Sequence, residues 1–353
     1  MKKRIYDEDR NFWSVLFFPL KKLWGLLAGL IYDLKVKIAG NREREVKTVS
    51  SKTRRRKEAA FYWTLLIFPI VQFLVFYVYV NFNSILLSLK EYRVGGGASG
   101  YIWVGLKNYQ QFFVDFITGP NLKQIAINSL IVYGFGLLVG VPLAIMFSFY
   151  LYKQFPMSGI FKVLLFLPSI ISSVAMVLMY KYFVDIGYPG LVQALFKKSI
   201  KPPLSTATMR FGWVIFYNLF VSFGANVIMY TSAMTRIPPS LTEYARIEGV
   251  NYVQELTKII LPMIFPTITT FLVVGVAGIF TNQANVYTFY GVGATNDVTT
   301  FGYFLFGKVI AGRTTMAEYP YASAAGIIFT FIAVPITLGA KYLLEKFGPT
   351  VEY

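Results

Sequence analysis

"IPPSLTEYARIEGVNYVQELTKIILP", Ile237–Pro262, carries three glutamates, two cations and a pair of leading prolines between long apolar runs. Ser240 followed three positions later by Glu243 has capping-box spacing, directly behind Pro238 and Pro239. A helix is therefore expected to start at Leu241. Gly249 is a natural stop, because glycine accepts the left-handed conformation that closes many helices. Asn251 with Gln254 repeats the capping pattern, so a second short helix is expected from Tyr252 to Ile260, before Pro262 leads into the next apolar run. Leu241, Ala245, Tyr252 and Leu256 give the pair a small or apolar side at near-helical spacing, while Arg246 and Glu248 project elsewhere.

The runs around this stretch set the fold class. Hydrophobic residues make up 56% of the chain and charged ones 14%, whereas about a quarter of residues are charged in a soluble domain. Six runs are apolar over a length that spans the hydrocarbon layer, which takes about 20 residues of helix. They are Phe61–Val80, Ile125–Tyr152, Val163–Tyr180, Phe211–Met234, Met263–Tyr290 and Tyr321–Ala340. None alternates apolar and polar residues as a transmembrane β-strand does. The expected class is an all-α integral membrane protein with six transmembrane helices.

Charge gives the expected orientation. Of 34 Lys and Arg, 16 precede Glu58, and the run "RRRK" at Arg54–Lys57 abuts the first apolar run. The positive-inside rule places the N-terminus in the cytoplasm, and six crossings return the C-terminus there. Ile237–Pro262 then lies on the cytoplasmic side, between spans four and five. The net charge of +17 reads as a topology signal plus attraction to anionic headgroups. Nucleic-acid binding does not fit, because the basic residues interleave with membrane segments. Residues 1–59 are expected to form a cytoplasmic or interfacial extension. Within it Asn11–Gly40 is rich in Trp, Phe and Leu but broken by Pro19, Lys21 and Lys22, which suits an interfacial helix better than a seventh span or a signal peptide. Residues 60–346 are the expected membrane domain, with the loop at 237–262, and residues 347–353 a cytoplasmic tail.

Several chemistries are excluded by residue type. The chain has no cysteine and no histidine, hence no disulfide, no thiol nucleophile and no histidine-based metal site or proton shuttle. The six runs contain no Asp, Glu, Lys or Arg, although ion-coupled pumps carry such a residue at the coupling site. No GxxxxGK[ST] phosphate loop occurs. No catalytic residue, metal ligand or cofactor is expected in this chain, and its energy source is expected outside it.

What the runs do contain is neutral and polar. Asn218, Ser222 and Asn226 are spaced four apart in the fourth run, on one helical face. Thr281, Asn282, Gln283, Asn285 and Tyr287 follow in the fifth. Amides and hydroxyls beside aromatic rings suit a sugar better than an ion, so Asn218, Ser222, Asn226, Asn282, Gln283, Asn285 and Tyr287 are candidate pathway residues. The alternatives are helix-to-helix hydrogen bonding for the first three and a rim position at the membrane surface for the others. Gly134, Gly136 and Gly140 read as sites of close helix contact.

One further pattern is more specific. Glu243-Tyr244-Ala245, three residues, Gly249, nine residues, then Ile259-Ile260-Leu261-Pro262 resembles the EAA loop of the membrane subunits of binding-protein-dependent ABC importers. Tyr244 stands where alanine is usual, and Glu248 and Val250 flank the glycine where Asp and Ala are common. "WVGLKNYQQFF" from Trp103, "INSLIVYG" from Ile127, "TTFGYFLF" from Thr299 and "YASAAGIIF" from Tyr321 resemble segments of the carbohydrate branch with the maltose-type permeases. Gly291–Gly293 reads "GVG" where that branch has "GGP". The resemblance runs from Phe61 to Lys346.

The resemblance implies a permease subunit of the bacterial cytoplasmic membrane that forms half of a pathway for a sugar or oligosaccharide. Implied partners are a second permease, an ABC ATPase dimer that carries ATP and Mg, and an extracytoplasmic solute-binding protein. Glu243, Tyr244, Ala245, Arg246 and Gly249 are implied in coupling to the ATPase, with Ala245 and Gly249 allowing close approach and Glu243 capping the helix. Other readings are an importer permease for a non-sugar solute, or a secondary transporter or membrane enzyme. A DNA-binding helix-turn-helix at Leu241–Ile260 fits poorly, because both of its ends are tethered to spans.

Overall fold

The computed structural model describes residues 51–93 and 100–349. The interfacial helix expected at 11–40 and residues 350–353 of the expected tail lie outside them. The chain divides into two compact units, Met1–Val78 and Tyr79–Tyr353. In the first, the described residues are helical, and the apolar side chains from Phe61 to Val78 are exposed.

Among the described residues five helices are long and apolar enough to cross a membrane: Arg55–Ser88, Pro120–Tyr152, Ala207–Met234, Tyr252–Gly278 and Glu318–Phe347. These are spans one, two, four, five and six. Span three was expected as one helix and is instead a broken pair, Ser158–Pro168 and Ser173–Phe196, bent by 99°. Pro168 lacks the N–H that would continue the hydrogen-bond ladder, and Ile171 and Ser172 leave the helix with ψ near 140° and 133°. Counted as one crossing, the pair completes six.

Prolines also explain three of the wide turns inside the helices. π-Helical stretches at Gly136–Gly140, Phe183–Gly187 and Glu255–Ile260 each end two residues before a proline, at Pro142, Pro189 and Pro262. A widened turn moves the ring off the carbonyl it would otherwise strike and absorbs the missing donor. The chain therefore runs through Pro262 without stopping. The second short helix expected at Tyr252–Ile260 is the first part of span five.

Span five ends earlier than its apolar run. The helix stops at Gly278, and the chain turns through Ala284 and Asn285, both at positive φ, into a short helix at Val286–Tyr290. The polar sequence Thr281–Asn285 cannot extend an apolar helix, and asparagine tolerates the left-handed conformation. Thr281, Asn282, Gln283 and Asn285 thus lie on a turn beyond span five, and Tyr287 lies on the short helix.

Three buried clusters hold the second unit. At the end carrying the 237–262 segment, Ile145 and Phe149 of span two, Val227 and Met234 of span four, and Ile260 and Ile264 of span five pack together. Phe112, Ile125, Phe280, Phe301 and Phe329 fill the opposite end. Val184, Val214, Tyr217, Val286 and Phe289 form the third cluster. Close approach is set by glycine: a Cβ on Gly224 would lie 2.0 Å from the Leu165 carbonyl oxygen, and one on Gly275 would lie 2.9 Å from the Tyr133 ring. After span one, an antiparallel hairpin pairs Lys90–Arg93 with Gly100–Trp103. Asn108 donates to the carbonyls of Ser88 and Lys90 at 2.8 and 2.7 Å, and Tyr109 shares a hydrogen bond with Ser88. The segment from Trp103 is thereby fastened to the end of span one.

Candidate functional site

The 237–262 segment is built from a helix, a glycine turn and a capped entry into span five. The helix covers Pro239–Ile247 and has no side-chain cap. The expected Ser240–Glu243 capping box is absent, because the start falls at Pro239, whose fixed φ and missing N–H suit the first helical position. Glu243 is exposed and caps nothing. At the other end Gly249, at φ +73°, donates to the Arg246 carbonyl and Val250 donates to that of Ala245, at 3.1 and 3.0 Å. This pair of bonds is a Schellman closure. The second capping box is formed: Gln254 N–H donates to Asn251 Oδ1 at 2.9 Å and Asn251 N–H to Gln254 Oε1 at 3.2 Å.

Exposure corrects the expected roles. Ala245 is 6% exposed and turns into the chain, so it does not present a small surface to a partner. Tyr244 and Ile247, three positions apart on the helix, are 68% and 81% exposed. The four residues expected to share one small or apolar side divide: Leu241 and Tyr252 are exposed, whereas Ala245 is buried and Leu256 packs against the buried cluster. A Cβ on Gly249 would meet nothing within 4 Å in this chain, and its φ of +73° is a backbone conformation that favours glycine.

Two residues that sequence reasoning did not select lie beneath this helix. Glu255, the third glutamate of the stretch, is buried and forms an ion pair with Lys153, just past the end of span two; the two side chains are 4% and 6% exposed. The Phe155 ring stands edge-on to Tyr252 at 5.3 Å. A lone cation after an apolar run and a glutamate before another were visible in the sequence. Nothing there shows that they meet, 102 residues apart.

Between spans two, four and five lies a cavity of about 480 Å³. Asn218, Ser222, Asn226 and Asn282 line it, with Tyr133, Phe223, Tyr230 and Phe271, and no lining residue is charged. Gln283, Asn285 and Tyr287 do not line it. The polar residues differ in availability. Asn218 donates to the Ala284 carbonyl at 2.8 Å and accepts from Asn285 at 2.7 Å, so these two asparagines bind span four to the turn after span five. Asn282 accepts the Ala284 N–H at 2.8 Å, and Ser222 donates to the carbonyl of Asn218. Asn226, partly buried, has no hydrogen-bond partner among the described residues. Tyr287 stacks edge-on against Phe306 at 4.8 Å.

The end of the cavity away from the 237–262 segment is closed by the segments beginning at Ile127 and Thr299. Asn128, 1% exposed, donates to the carbonyls of Asn296 and Thr299. Ser129 Oγ accepts the Phe301 N–H, and Thr300 Oγ1 donates to the Asn282 carbonyl at 2.7 Å. Gly302 lets the chain pass there, since a Cβ would lie 2.3 Å from the Thr281 carbonyl oxygen. Tyr303 donates to the Gly291 carbonyl at 2.7 Å, which anchors the "GVG" turn. Burial pushes the Tyr290 phenol up to about 12, with Asp185 and Asp297 adding to the shift and Arg210 opposing it. Tyr290 therefore stays a hydrogen-bond donor to Leu204 at any physiological pH.

With this geometry in place, comparison with known proteins gives a consistent result. The family described as binding-protein-dependent transport system inner membrane component matches residues 136–353. The multiple sugar-binding transport system permease protein MsmF of Streptococcus mutans is 26% identical over 288 residues, 81% of this chain and 95% of the relative. The polygalacturonan/rhamnogalacturonan transport system permease protein YteP of Bacillus subtilis is 22% identical, covering 81% and 88%. The sn-glycerol-3-phosphate transport system permease protein UgpA of Yersinia pestis is 24% identical over 69% of this chain and 81% of its own length. Among solved structures, a chain of a bacterial ABC transporter involved in the import of the acidic polysaccharide alginate superimposes with TM-score 0.70 at 21% identity, covering 83% of this chain and 98% of that one.

Proposed function

The chain belongs to the binding-protein-dependent transport system inner membrane component family, and on that footing we propose that it is the permease subunit of an ABC importer for a sugar or oligosaccharide. The observation that carries the coupling role is the Pro239–Ile247 helix. It is set between spans four and five, closed by the Gly249 turn, and leaves Tyr244 and Ile247 uncovered. An exposed apolar pair on a short helix fits a groove on a separate ATPase. In this reading the segment faces the cytoplasm, as the charge asymmetry implies. ATP and Mg stay on the ATPase dimer, and its closure swings this chain and a second permease between two access states. Glu243, Arg246 and Glu248 surround the apolar pair with charge that pairs at the rim, and Gly249 holds the helix at its angle.

The cargo reading rests on the cavity. Its wall offers Asn226 and Ser222 beside the rings of Tyr133, Phe223 and Tyr230, and no charge. Hydroxyl groups are matched by such amides and hydroxyls, whereas a buried carboxylate or phosphate without a cation would be strongly disfavoured. Three relatives bear names from carbohydrate or glycerol-phosphate uptake, and the uncharged wall favours a neutral sugar over the ester. Asn218 and Asn282 line the wall, and Asn285 donates to Asn218 from behind it. Gln283 and Tyr287 stand off it, at the rim where cargo enters from a solute-binding protein.

The test is co-purification from cells expressing the chain with its genomic neighbours. The expected result is an ATPase and a second permease in the eluate, with ATP hydrolysis stimulated by a solute-binding protein loaded with one saccharide. A chain that elutes alone, with no ATPase bound, overturns the reading.

A further inference from the structure

The cavity has three walls, and the Pro239–Ile247 helix is joined by the chain to only two. It continues from span four through Ile237, and into span five through the Asn251 cap. Span two, the third wall, is 80 or more residues away in sequence. One turn in from the end that carries the helix, span two is tied to span four, where Ser148 Oγ donates to the buried Val227 carbonyl at 2.8 Å. At that end it also packs with spans four and five in the apolar cluster, and its buried ion pair is to span five, through Lys153 and Glu255.

The placement of that pair is specific. Glu255 is the first residue of the π-helical stretch Glu255–Ile260, where span five is widest, and it lies within one turn of the Asn251 cap. Lys153 follows Tyr152, the last residue of span two. Both side chains are almost fully enclosed, and among the described residues no other ion pair has both partners this deeply buried. Lys153 also lies over the rings of Phe149 and Tyr152 at 5.7 and 5.8 Å. Apolar neighbours alone could slip past one another, whereas a buried pair has a single favourable register, because displacing either partner leaves a desolvated charge.

We propose that Lys153 and Glu255 are positioning residues that lock span two to the entry of span five. Movement of the Pro239–Ile247 helix then displaces all three cavity walls together. The proposal rests on the permease reading above for its consequence in transport, but its structural half does not. With the pair intact, the inner ends of spans two and five and the Pro239–Ile247 helix move as one body. With the pair broken, span two lags, and ATP is hydrolysed without a matching change in the cavity.

Two measurements test it. In the assembled complex in proteoliposomes, Glu255→Gln and Lys153→Met should each lower uptake per ATP hydrolysed by about tenfold or more, the size of effect that follows from breaking a buried pair. The exchanged pair, Lys153→Glu with Glu255→Lys, should recover most of the ratio. Uptake per ATP within about twofold of the parent in both single variants, less than loss of a buried pair allows, overturns the proposal, as does an exchanged pair as defective as the singles.

The second measurement uses the chain alone in nanodiscs. The chain has no cysteine, so spin labels can be placed specifically at Met146 and Ile247, both exposed. The expected interlabel distance distribution is narrow in the parent and in the exchanged pair, and broad in Glu255→Gln. Equal widths in all three overturn the proposal. If the parent complex shows no ATPase coupling, the permease reading fails, and the distance distributions still judge the lock.

Discussion

Asn128 and Thr299 are 171 positions apart in sequence, and the amide of the first donates to the carbonyl of the second at 3.0 Å. The same amide also reaches the Asn296 carbonyl at 2.9 Å, and its oxygen accepts from Gln124. One buried side chain thereby fastens span two to the chain entering the Phe301–Thr315 helix. Replacing Asn128 by leucine leaves two carbonyls without their donor. The expected loss is about 1–3 kcal/mol for each group left unsatisfied. A lowered thermal midpoint of the purified chain in detergent checks it, and an unchanged midpoint would show that water replaces the amide.

Gly249 separates conformation from space. Its φ is +73°, and a Cβ there meets nothing. Gly249→Asn should therefore transport close to the parental rate, since asparagine tolerates this region. Gly249→Val should cost roughly 1–2 kcal/mol in the turn and reduce uptake more than ATP hydrolysis. Equal uptake by the two variants would refute a conformational role.

Asn218 and Asn226 share a helix face and should answer differently. Asn218 is committed to Ala284 and Asn285, so Asn218→Ala should lower the melting temperature, by about 1–2 kcal/mol in stability. Asn226 holds no partner within the described chain, so Asn226→Ala should leave melting unchanged and raise the sugar concentration for half-maximal uptake. Paired melting and uptake curves decide it, and the assignment fails if Asn226→Ala melts early with normal uptake.

Ile247 is the most exposed apolar side chain on the Pro239–Ile247 helix. On the proposed coupling role, Ile247→Asp should leave the folded chain intact and weaken capture of the ATPase by at least about 2 kcal/mol, the effect of losing an interface anchor. Co-elution with the ATPase measures it, with Glu243→Gln as a rim control expected to change capture little.

Much of this architecture could be read from side-chain type alone. The long apolar runs at spans one, two, four and six each became a helix, because a helix is the structure that satisfies its own backbone in lipid. The Gly249 turn and the Asn251–Gln254 box were equally readable, since both are local. Errors arose where a local rule met a longer-range condition. Pro262 was read as a boundary, yet the π turn before it carries the helix through. The fifth apolar run reaches Tyr290, yet Gly278 and the polar stretch after it end the span. Ser240 and Glu243 had cap spacing, but Pro239 had already started the helix.

By itself the sequence determined the membrane class, spans one, two, four and six, the glycine-closed turn and, through its motif, the family. All of these depend on residues close together in the chain, where composition, spacing and backbone preference act directly. Only the tertiary structure decided that Ala245 faces inward while Ile247 faces out, that Asn218 is occupied and Asn226 is not, and that Lys153 reaches Glu255. Those outcomes depend on which helix lies beside which, and hydrophobic burial drives helices together without naming the neighbour. The polar contacts made once they meet then distinguish a side chain held in the wall from one left open to the cavity.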